Sequence, residues 1–450
     1  MKPAFFTLLI LAFSWADAQT VRNNTRQIVF TSVNVIPMDR EHVLQNQTVV
    51  TKDGKITAIG NNIKYGRDAF VIDGKGKFLM PGLAEMHGHV PPVNDLDPMK
   101  EVLELFVYHG ITTVRGMLGH PKHLELRKGL QTGAIFGPRF ITSGPSINGN
   151  SAPDPATAVA MVKSQQAAGY DFIKIHPGLS WETFSAMAKA ANEARHPFSG
   201  HVPFAVNVWR GIEAGYTTID HLDGFVDALV PGIGNMTEQE VGIFGLYIAN
   251  RADTTRILAL IAALKKGGTW VVPTQALAER WFSPDRSTES LSKATEMKYM
   301  STGQINGWIQ SKNNLMSNPS YNEDEVRALI RLRRKLIYEC NRNGVGLLLG
   351  CDAPQVFNVP GMATHHELQY LVDAGLTPYE ALRTGTVNVG NFLKRKDIGT
   401  VKAGSVSDLI LLNGNPLQNI SQSTNIAGVM VGQTWLSKEV IDSELKKLEK

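Results

Sequence analysis

Two histidines separated by one residue, His87 and His89, form the first candidate for chemistry in this chain. An apolar run from Gly76 to Met80 precedes them and predicts a strand. In an extended segment, side chains two positions apart point to the same face, so both imidazoles face one point. Gly88 between them leaves room for an ion or a substrate to approach. One such pair is weak evidence by itself, because two surface histidines have the same spacing.

Further metal-binding side chains stand where later apolar strands are predicted to end. In chain order they are Lys174, His201, His221 and Asp352. The carboxyl ends of parallel strands in a barrel converge on one site, so we expect these side chains to lie near the histidine pair. Neutral imidazole and carboxylate are suitable ligands for a divalent transition ion such as zinc. The pattern therefore predicts a metal centre.

Lys174 requires a separate explanation because it lies inside the apolar run from Phe172 to Ile175. An unpaired ammonium there is costly, and its pKa should fall. A neutral lysine amine can react with carbon dioxide to form a carbamate whose two oxygens bridge two metal ions. The number of histidines suits two ions better than one. The alternative is a lysine that forms an ion pair with Asp352 or with a substrate carboxylate.

Two more residues are candidates for substrate binding. His176 follows Lys174 by two positions on the same strand face, so it either reaches substrate or is structural. Arg115 stands at a predicted strand end and pairs either with a substrate carboxylate or with a carboxylate inside the protein. The other histidines are expected to be surface or structural residues: His42, His109, His120, His123, His196, His365 and His366.

Short apolar strands alternate with amphipathic stretches of ten or more residues from Met80 onward. With the strand before His87 they number eight, and the others are predicted at 112–115, 140–143, 172–175, 198–201, 217–221, 269–272 and 346–350. Strands that alternate with helices indicate parallel βαβ units. Eight of them predict an α/β fold of the (β/α)8 TIM barrel type.

Both ends of the chain have a different pattern, with short strands and turn residues. Asp53-Gly54 and Asp73-Gly74 predict hairpin turns in the first part. After a helix at 378–384, short strands return, beginning with Ile398 to Val401 and Asp408 to Leu412. We therefore expect one small β-sandwich module built from residues 19–79 and 393–450, which flank a barrel at 80–392.

Two connections in the barrel region are long, at 222–253 and 278–322. Long connections in a barrel usually belong to the face that holds the active site, so each is a candidate lid or substrate wall. The alternative is a helical insertion with a structural role only. The sequence does not decide between these two alternatives.

The bulk composition is that of a globular protein. The 450 residues are 43% hydrophobic and 19% charged, which provides a sizeable core and argues against disorder. The net charge of +4 is mild, and no block of Lys or Arg indicates a nucleic-acid or membrane-binding patch. Only Cys340 and Cys351 occur, so the fold is not held by a disulfide framework, and we expect two free thiols.

The N-terminus has the layout of a secretory signal peptide. Lys2 precedes an apolar run from Ala4 to Trp15, and the small residues Ala16 and Ala18 supply a cleavage site before Gln19. A short membrane anchor is the alternative, but the run is too short to span comfortably. We expect cleavage after residue 18, a periplasmic or secreted protein, and no membrane span in the mature chain.

The ordered motifs resemble those of the metal-dependent amidohydrolase superfamily over nearly the whole mature chain. Within it, the chain is similar to imidazolonepropionase and to the bacterial binuclear prolidase-like dipeptidases. The matching motifs are Pro81-Gly82-Leu83 with His87-Gly88-His89, Gly110 to Arg115, Asp171 to Lys174, Gly200-His201, Ile219-Asp220-His221, Gly350 to Pro354, Glu367-Leu368, Leu376 to Pro378, and Gly399 to Leu409. Gly116 and Cys351 depart from the usual Asp and Thr or Ser of that family, and neither is an expected ligand.

The resemblance implies two divalent ions, zinc being the expected metal, that share a carbamate on Lys174. The implied ligands are His87, His89, Lys174 and Asp352 for one ion and Lys174, His201 and His221 for the other. A hydroxide between the ions would attack the substrate carbonyl. Asp352 would act catalytically by moving its proton to the leaving amine.

The leading hypothesis is an exported hydrolase that cleaves an amide or peptide bond in a small substrate. A dipeptide, an N-acyl amino acid or a cyclic amide would suit this chemistry. One alternative is a mononuclear cyclic-amide hydrolase or deaminase with Lys174 unmodified. Another alternative is a barrel that serves only in binding or assembly. Such a protein is expected to have lost metal-binding residues at the ligand positions, whereas all six positions here have a residue that can bind a metal. A homo-oligomer is compatible with the sequence, which names neither the substrate nor the oligomeric state.

Overall fold

The computed structural model describes residues 26–450 and the backbone of Thr20 and Val21. The predicted signal peptide lies outside the described residues. Within the described part, no helix is both long and apolar enough to cross a membrane. The strands there are β1 (Thr20–Val21), β2 (Ile28–Val35), β3 (Leu44–Lys52), β4 (Lys55–Gly60), β5 (Phe70–Asp73), β6 (Phe78–Pro81), β7 (Leu83–Gly88), β8 (Ile111–Gly116), β9 (Arg139–Thr142), β10 (Ile173–Ile175), β11 (Phe198–Gly200), β12 (Thr218–Asp220), β13 (Trp270–Val272), β14 (Leu409–Leu412), β15 (Ile426–Val431) and β16 (Thr434–Ser437).

The helices mostly fill the intervals between strands β7 and β14. They are α1 (Asp97–Tyr108), α2 (Pro121–Thr132), α3 (Pro155–Ala168), α4 (Trp181–Glu193), α5 (Val208–Ala214), α6 (Phe225–Leu229), α7 (Glu238–Val241), α8 (Ile257–Gly267), α9 (Gln275–Leu277), α10 (Thr288–Ser292), α11 (Thr302–Met316), α12 (Glu323–Arg342), α13 (Met362–Asp373), α14 (Pro378–Thr384), α15 (Val387–Phe392) and α16 (Lys438–Lys447). A π-helix at Ala278–Phe282 continues α9, and short 3-10 helices lie at 233–235, 243–245, 249–251, 254–256, 295–299 and 420–424.

One nine-stranded sheet combines both ends of the chain. Its strand order is β1-β16-β15-β14-β6-β2-β3-β4, and β5 pairs with β2 beside β6. The link between the two ends is the antiparallel pair β6 and β14, in which Leu79 lies opposite Leu411. Both residues belong to an apolar cluster that also contains Phe30 and Trp435, whose rings meet edge to face at 5.3 Å. The terminal segments therefore share a sheet and a core.

The structure corrects two of the predicted turns and strands at the termini. Asp53 and Gly54 do form the hairpin turn between β3 and β4, and both have a positive φ. The prediction of a hairpin turn at Asp73-Gly74 is wrong, because β5 and β6 both pair in parallel with β2 and do not form an antiparallel pair with each other. Residues Ile398 to Val401 form bends and no strand. An apolar run with a turn signal indicates extended backbone but does not determine its partner.

The strand predicted ahead of His87 is also assigned differently by the structure. That strand is β6, which belongs to the nine-stranded sheet. His87 lies instead on the next strand, β7, which pairs in parallel with β8, and His89 directly follows the end of β7. Gly82, between β6 and β7, packs against Thr112, where an added Cβ would lie 2.2 Å from Oγ1. A glycine thus allows the chain to pass from one sheet to the other without a longer connection.

The metal-ligand candidates lie on parallel strands. Strands β7-β8-β9 form one parallel sheet and β10-β11-β12-β13 form another. A parallel bridge between Ser143 and Phe172 joins the end of β9 to the start of β10. The segment 346–350, predicted as a strand, has a single parallel bridge from Leu347 to Val271, and Leu349 accepts a hydrogen bond from the backbone of Met86 on β7. Backbone contacts thus connect the two sheets on both sides.

The helix boundaries follow local capping signals. Helix α3 begins after Asp154, whose side chain accepts from the backbone of Thr157, and ends before Gly169 in the left-handed conformation. Pro155 occupies its first turn, where a missing N–H costs nothing. Helix α14 has the predicted bounds 378–384. Such caps are encoded locally, which is why the sequence determined these ends well.

The 278–322 insertion is tied firmly to the body of the protein. Lys312 is fully buried, and its Nζ donates to the carbonyl oxygens of Arg280, Trp281 and Ser283 at 3.0, 3.0 and 2.7 Å. These carbonyls close the π-helix and the residues after it, where a buried ammonium finds the acceptors that it needs. Arg280 in turn forms a buried ion pair of 2.9 Å with Glu296. This anchoring favours the structural alternative for the insertion.

Candidate metal centre

The His87 and His89 side chains meet Asp352, which comes from the far end of the chain. His89 Nε2 lies 2.6 Å from Asp352 Oδ1, and His87 Nε2 lies 3.5 Å from the same oxygen. One ligand atom from each of the three residues lies within 4.8 Å of the others. His87 is fully buried and its pKa is well below the usual range, chiefly because burial disfavours the charged ring. Two imidazoles and an aspartate side chain that converge in this way form a possible metal site.

A buried carboxylate that the sequence reasoning missed holds these segments together. Glu85 accepts hydrogen bonds from the backbone N–H of His87 at 3.0 Å and of Cys351 at 2.9 Å. It also accepts from Cys351 Sγ at 2.9 Å and from Thr364 Oγ1 at 2.8 Å. Burial raises the pKa of Glu85, while the bonds from Cys351 and Thr364 oppose that shift. Its position two residues before His87, on the same strand face, was the available signal.

Lys174 reaches the same point from strand β10. Its Nζ lies 3.5 Å from His87 Nε2 and 3.8 Å from Asp220 Oδ2, and the side chain is fully buried. Burial lowers the pKa of Lys174 to about 8, although Asp220 and Asp352 oppose the shift. Gly200 allows the lysine stem to pass, because an added Cβ there would lie 2.8 Å from Lys174 Cδ. The nearest paired carboxylate is therefore Asp220, not the Asp352 that the sequence suggested.

His201 and His221 stack on each other beside this group. Their ring centroids are 4.5 Å apart with an interplanar angle of 30°. His201 Nδ1 lies 3.0 Å from Asp223 Oδ2, and His221 Nδ1 lies 2.9 Å from Thr274 Oγ1. These contacts leave Nε2 of each ring as the atom that can bind a ligand. Burial, followed by the nearby Lys174, lowers the pKa of His201 to about 3, so the ring stays neutral.

Several buried polar atoms at this point form no hydrogen bond within the described part of the chain. They are His87 Nδ1, His221 Nε2, Asp220 Oδ2 and Asp352 Oδ1. His87 Nδ1 lies 3.0 Å from Asp220 Oδ2 and His89 Nε2 lies 2.6 Å from Asp352 Oδ1, yet neither pair has the geometry of a hydrogen bond. Buried polar groups without partners are rare and costly, so such a concentration calls for a ligand. Nitrogen and carboxylate donors in this arrangement fit a divalent metal ion.

All six predicted ligand residues thus lie in one connected cluster, and their individual roles stay predictions. His176 lies beside the cluster, with its ring stacked on His201 at 5.0 Å and its pKa lowered to about 2, chiefly by burial. Arg115 differs, because it is fully buried and has partners in the core. Its Nη1 donates to Thr218 Oγ1 at 3.2 Å, and its guanidinium lies 4.2 Å from the Phe172 ring centroid. These contacts favour a structural role for Arg115 over substrate binding.

The remaining side chains mostly follow the expectations. Both cysteines are free and buried, as predicted. His365 has partners for both ring nitrogens, Ser423 Oγ at 2.9 Å and the carbonyl of His109 at 2.8 Å, as expected of a structural histidine. Asp223, Thr274 and Phe244 were not predicted, since each lies in a connection after a strand and no spacing relates it to the ligands. Phe244 stacks on His221 with ring centroids 5.1 Å apart.

A comparison with known protein families identifies a match in the C-terminal part of the chain. The model of the amidohydrolase family matches residues 242–436. Residues 242–436 belong to the amidohydrolase family. The matched part contains Asp352, and the resemblance predicted from the sequence is confirmed. The prediction of an amidohydrolase-type enzyme is confirmed with it.

Over most of the length of this chain, the individual relatives are distant. A 5'-deoxyadenosine deaminase from Methanosarcina acetivorans is 49% identical over 63 residues, which are 14% of each protein. The ochratoxinase of Aspergillus niger is 22% identical over 418 residues, which cover 86% of this chain and 81% of that enzyme. The solved structure of a Xaa-Pro dipeptidase with bound methionine has a TM-score of 0.65 at 18% identity and covers 91% of this chain and 100% of its own. At that identity, the dipeptidase supports the fold alone.

Proposed function

We propose that this amidohydrolase is an exported, metal-dependent enzyme that hydrolyses a carbon–nitrogen bond of a small substrate with two divalent ions. The observation that carries the proposal is the convergence of His87, His89 and Asp352, whose ligand atoms lie within 4.8 Å of one another, in a chain of this family. We also propose that the parallel strands close into a (β/α)8 barrel. The bridges from β9 to β10 and from β13 to Leu347 support that closure.

The residues that would hold the ions divide into two sets. His87, His89 and Asp352 would hold one ion, and His201 with His221 would hold the other. Lys174 would join the sets as a carbamate, since burial lowers its pKa to about 8 and so favours the neutral amine that reacts with carbon dioxide. When bound, two such ions, zinc being the expected metal, would polarise a carbonyl and supply a nucleophile at neutral pH.

The protein groups around the ions have separate tasks. Asp352 would take a proton from the attacking water on a carboxylate oxygen and deliver it to the leaving nitrogen. Asp223 would keep His201 in the tautomer that presents Nε2, because its Oδ2 lies 3.0 Å from Nδ1. Thr274 Oγ1 would orient His221 in the same way, at 2.9 Å from Nδ1. His176 would face substrate beside His201.

A second candidate function is a mononuclear deaminase or cyclic-amide hydrolase with Lys174 unmodified. Two observations favour it. Among groups of three or more His, Cys, Asp or Glu side chains in the described residues, only His87, His89 and Asp352 have ligand atoms that all lie within 4.8 Å of one another. The short segment shared with the 5'-deoxyadenosine deaminase is 49% identical. In this alternative, the Lys174 ammonium stays within reach of Asp220, 3.8 Å away.

The metal content of the Lys174→Ala variant separates the two functions. The variant should lose one of two bound ions if a lysine carbamate bridges them, and mass spectrometry of the intact native protein should show the added mass of carbon dioxide only on the wild type. Lys174→Arg is the matched control, because arginine fills the same space and forms no carbamate. Unchanged metal content in both variants would establish the mononuclear alternative.

The substrate, the location and the assembly of the protein each have a separate test. The likeness to a Xaa-Pro dipeptidase supports a dipeptide as the first substrate to test, followed by N-acyl amino acids and cyclic amides. Export to the periplasm or medium rests on the apolar run from Ala4 to Trp15. Sequencing of the mature N-terminus should find Gln19 first, and a chain that retains Met1 after secretion would contradict cleavage. Light scattering would establish whether the protein is a homo-oligomer.

A further inference from the structure

A cleft of about 290 Å³ opens directly beside His201. Its apolar walls include Phe204, Ile243 and Phe244, and a second chamber of about 460 Å³ shares Phe204 with it. Ligand pockets for small molecules have similar volumes and mostly apolar walls with a few polar groups. Because the cleft reaches an imidazole of the metal centre, a substrate bound there would lie next to the reacting atoms.

Phe244 is held over the imidazoles by a strained loop. It has φ 56° and ψ 26°, which is the left-handed region that a bulky side chain rarely adopts. Gly242 and Gly245 on either side also have positive φ, and an added Cβ on Gly245 would lie 2.5 Å from Val226. Strain of this kind persists where the surroundings determine the conformation, and it concentrates at functional sites. The conformation of this loop places the Phe244 ring against His221 and at the wall of the cleft.

The charge of the cleft is one-sided. Its lining includes three carboxylates and no Lys or Arg. Asp223 is engaged with His201, and Glu238 is exposed at the rim. Asp227 remains: its Oδ1 is buried and forms no hydrogen bond in the described structure, and it lines both the cleft and the second chamber. A carboxylate oxygen taken out of water without a partner is costly, and a bound cation would offset that cost.

We propose that this cleft is a subsite for a protonated amine attached to an apolar group, with Asp227 binding the ammonium and Phe244 packing on the apolar part. This inference rests on the proposed C–N hydrolase function and narrows its substrate. Among the candidate substrates, it selects those with a free amine, such as unblocked dipeptides. It disfavours N-acyl amino acids, because an acylated nitrogen is neutral and leaves Asp227 without a counter-charge.

The recognition arises from two different forces. A hydrogen bond to a charged group in a partly buried site discriminates more strongly than one between neutral groups. Packing on Phe244 adds an apolar contribution that depends on side-chain size. The two contributions should therefore be separable by changing the amine and the side chain of the substrate one at a time.

The test compares matched substrates on the metal-loaded enzyme. The pairs are Leu-Ala with N-acetyl-Leu-Ala, and N-acetyl-Lys-Ala with N-acetyl-Leu-Ala, so that an α-amine and a side-chain amine are tested separately. In at least one of the two pairs, the substrate with the free amine should have a kcat/KM at least about tenfold higher than that of the other substrate in the pair. Asp227→Asn should reduce that preference to about twofold or less, whereas the exposed Glu238→Gln should change it by less than about threefold.

The apolar half of the subsite has its own measurement. Phe244→Ala should lower the ratio of kcat/KM for Leu-Ala over Gly-Ala by about fivefold or more, and Phe244→Leu should restore most of it. Metal content measured on the same samples shows whether the variants still hold their ions. Equal rates for the blocked and free substrates in both pairs, with an intact metal content, would overturn the inference and leave the hydrolase function standing.

A binding measurement covers the case in which none of these substrates is hydrolysed. Calorimetry with leucinamide and N-acetyl-leucinamide should show tighter binding of the free amine by about tenfold, and Asp227→Asn should abolish the difference. Such a result without hydrolysis would count against the proposed reaction but support the subsite. Equal binding of the two ligands would reject the subsite, whatever the reaction is.

Discussion

The two halves of the candidate metal centre are built in different ways. In the first half, His87 lies on strand β7 and His89 directly follows that strand, so one stretch of backbone places both histidines beside Asp352. In the second half, His201 and His221 follow short strands, and their orientation depends on Asp223 and Thr274. The difference shows that strand geometry can place ligands by itself only when they share a strand. Ligands from separate strands need side chains that orient them.

The largest effect is expected when a ligand is removed from either half. His89→Ala and His201→Ala should each lower kcat/KM by about a thousandfold or more, because charge stabilisation at the reacting carbonyl is lost. Metal analysis should show loss of one ion in each variant. The partly exposed His42, on the terminal β-sheet side of the chain and outside the cluster, provides the control, and His42→Ala should retain both ions. Full activity of His89→Ala would break the comparison, since the first half would then not be a metal site.

Glu85→Gln should weaken metal binding by about a hundredfold, measured by competition with a chelator. The carboxylate accepts from His87, Cys351 and Thr364 at once. An amide has one accepting oxygen, and its NH2 group would face donors instead of acceptors. The same variant should bind metal normally if Glu85 serves packing alone, and that outcome would show that the strand needs no help in placing its ligands.

Asp223→Asn should weaken the second ion by about thirtyfold and leave the first unchanged. Its Oδ2 lies 3.0 Å from His201 Nδ1, and an amide there no longer favours the required tautomer as strongly. Thermal unfolding of the metal-free protein provides the control, because a positioning role should change metal affinity more than stability. Equal weakening of both ions would mean that the two halves are not independent.

A histidine outside both halves offers a smaller, structural reference. Burial lowers the pKa of His365 to about 4, whereas an unfolded histidine titrates near 6.5. Between these values the unfolded state binds more protons, so stability falls as the pH falls below about 6.5. At pH 5.5 the loss from this ring should be about 1.4 kcal/mol relative to pH 7 or above. Urea unfolding of the metal-free protein at pH 7 and 5.5 should show a loss of stability, and that loss should be smaller in His365→Gln by about this amount, because the other buried histidines still contribute to it.

Much of the fold and of the candidate site could be predicted, because strands, helices and the residues at their ends are encoded locally. The alternation of strands and helices predicted β8 through β13 within one or two residues. The six candidate ligand residues could be singled out because imidazole, lysine or carboxylate at a strand end is conspicuous in an apolar context, and their roles as ligands stay predictions. The pairing partners of the strands were harder to predict. The Asp73-Gly74 turn looked like a hairpin, but β5 and β6 both pair in parallel with β2, which no local signal indicates.

By itself, the sequence determined the types of the candidate ligand residues, their order along the chain, and the strands β10, β11 and β12 that carry or directly precede Lys174, His201 and His221. It did so because side-chain periodicity and helix caps depend on neighbours a few residues away. Only the tertiary structure decided that Glu85 joins His87 to Cys351, that Asp220 is the carboxylate nearest Lys174, and that Asp227 and Phe244 line one cleft. These contacts join residues far apart in sequence. The packing of the whole chain sets the distances between these residues, and no local sequence pattern predicts that packing.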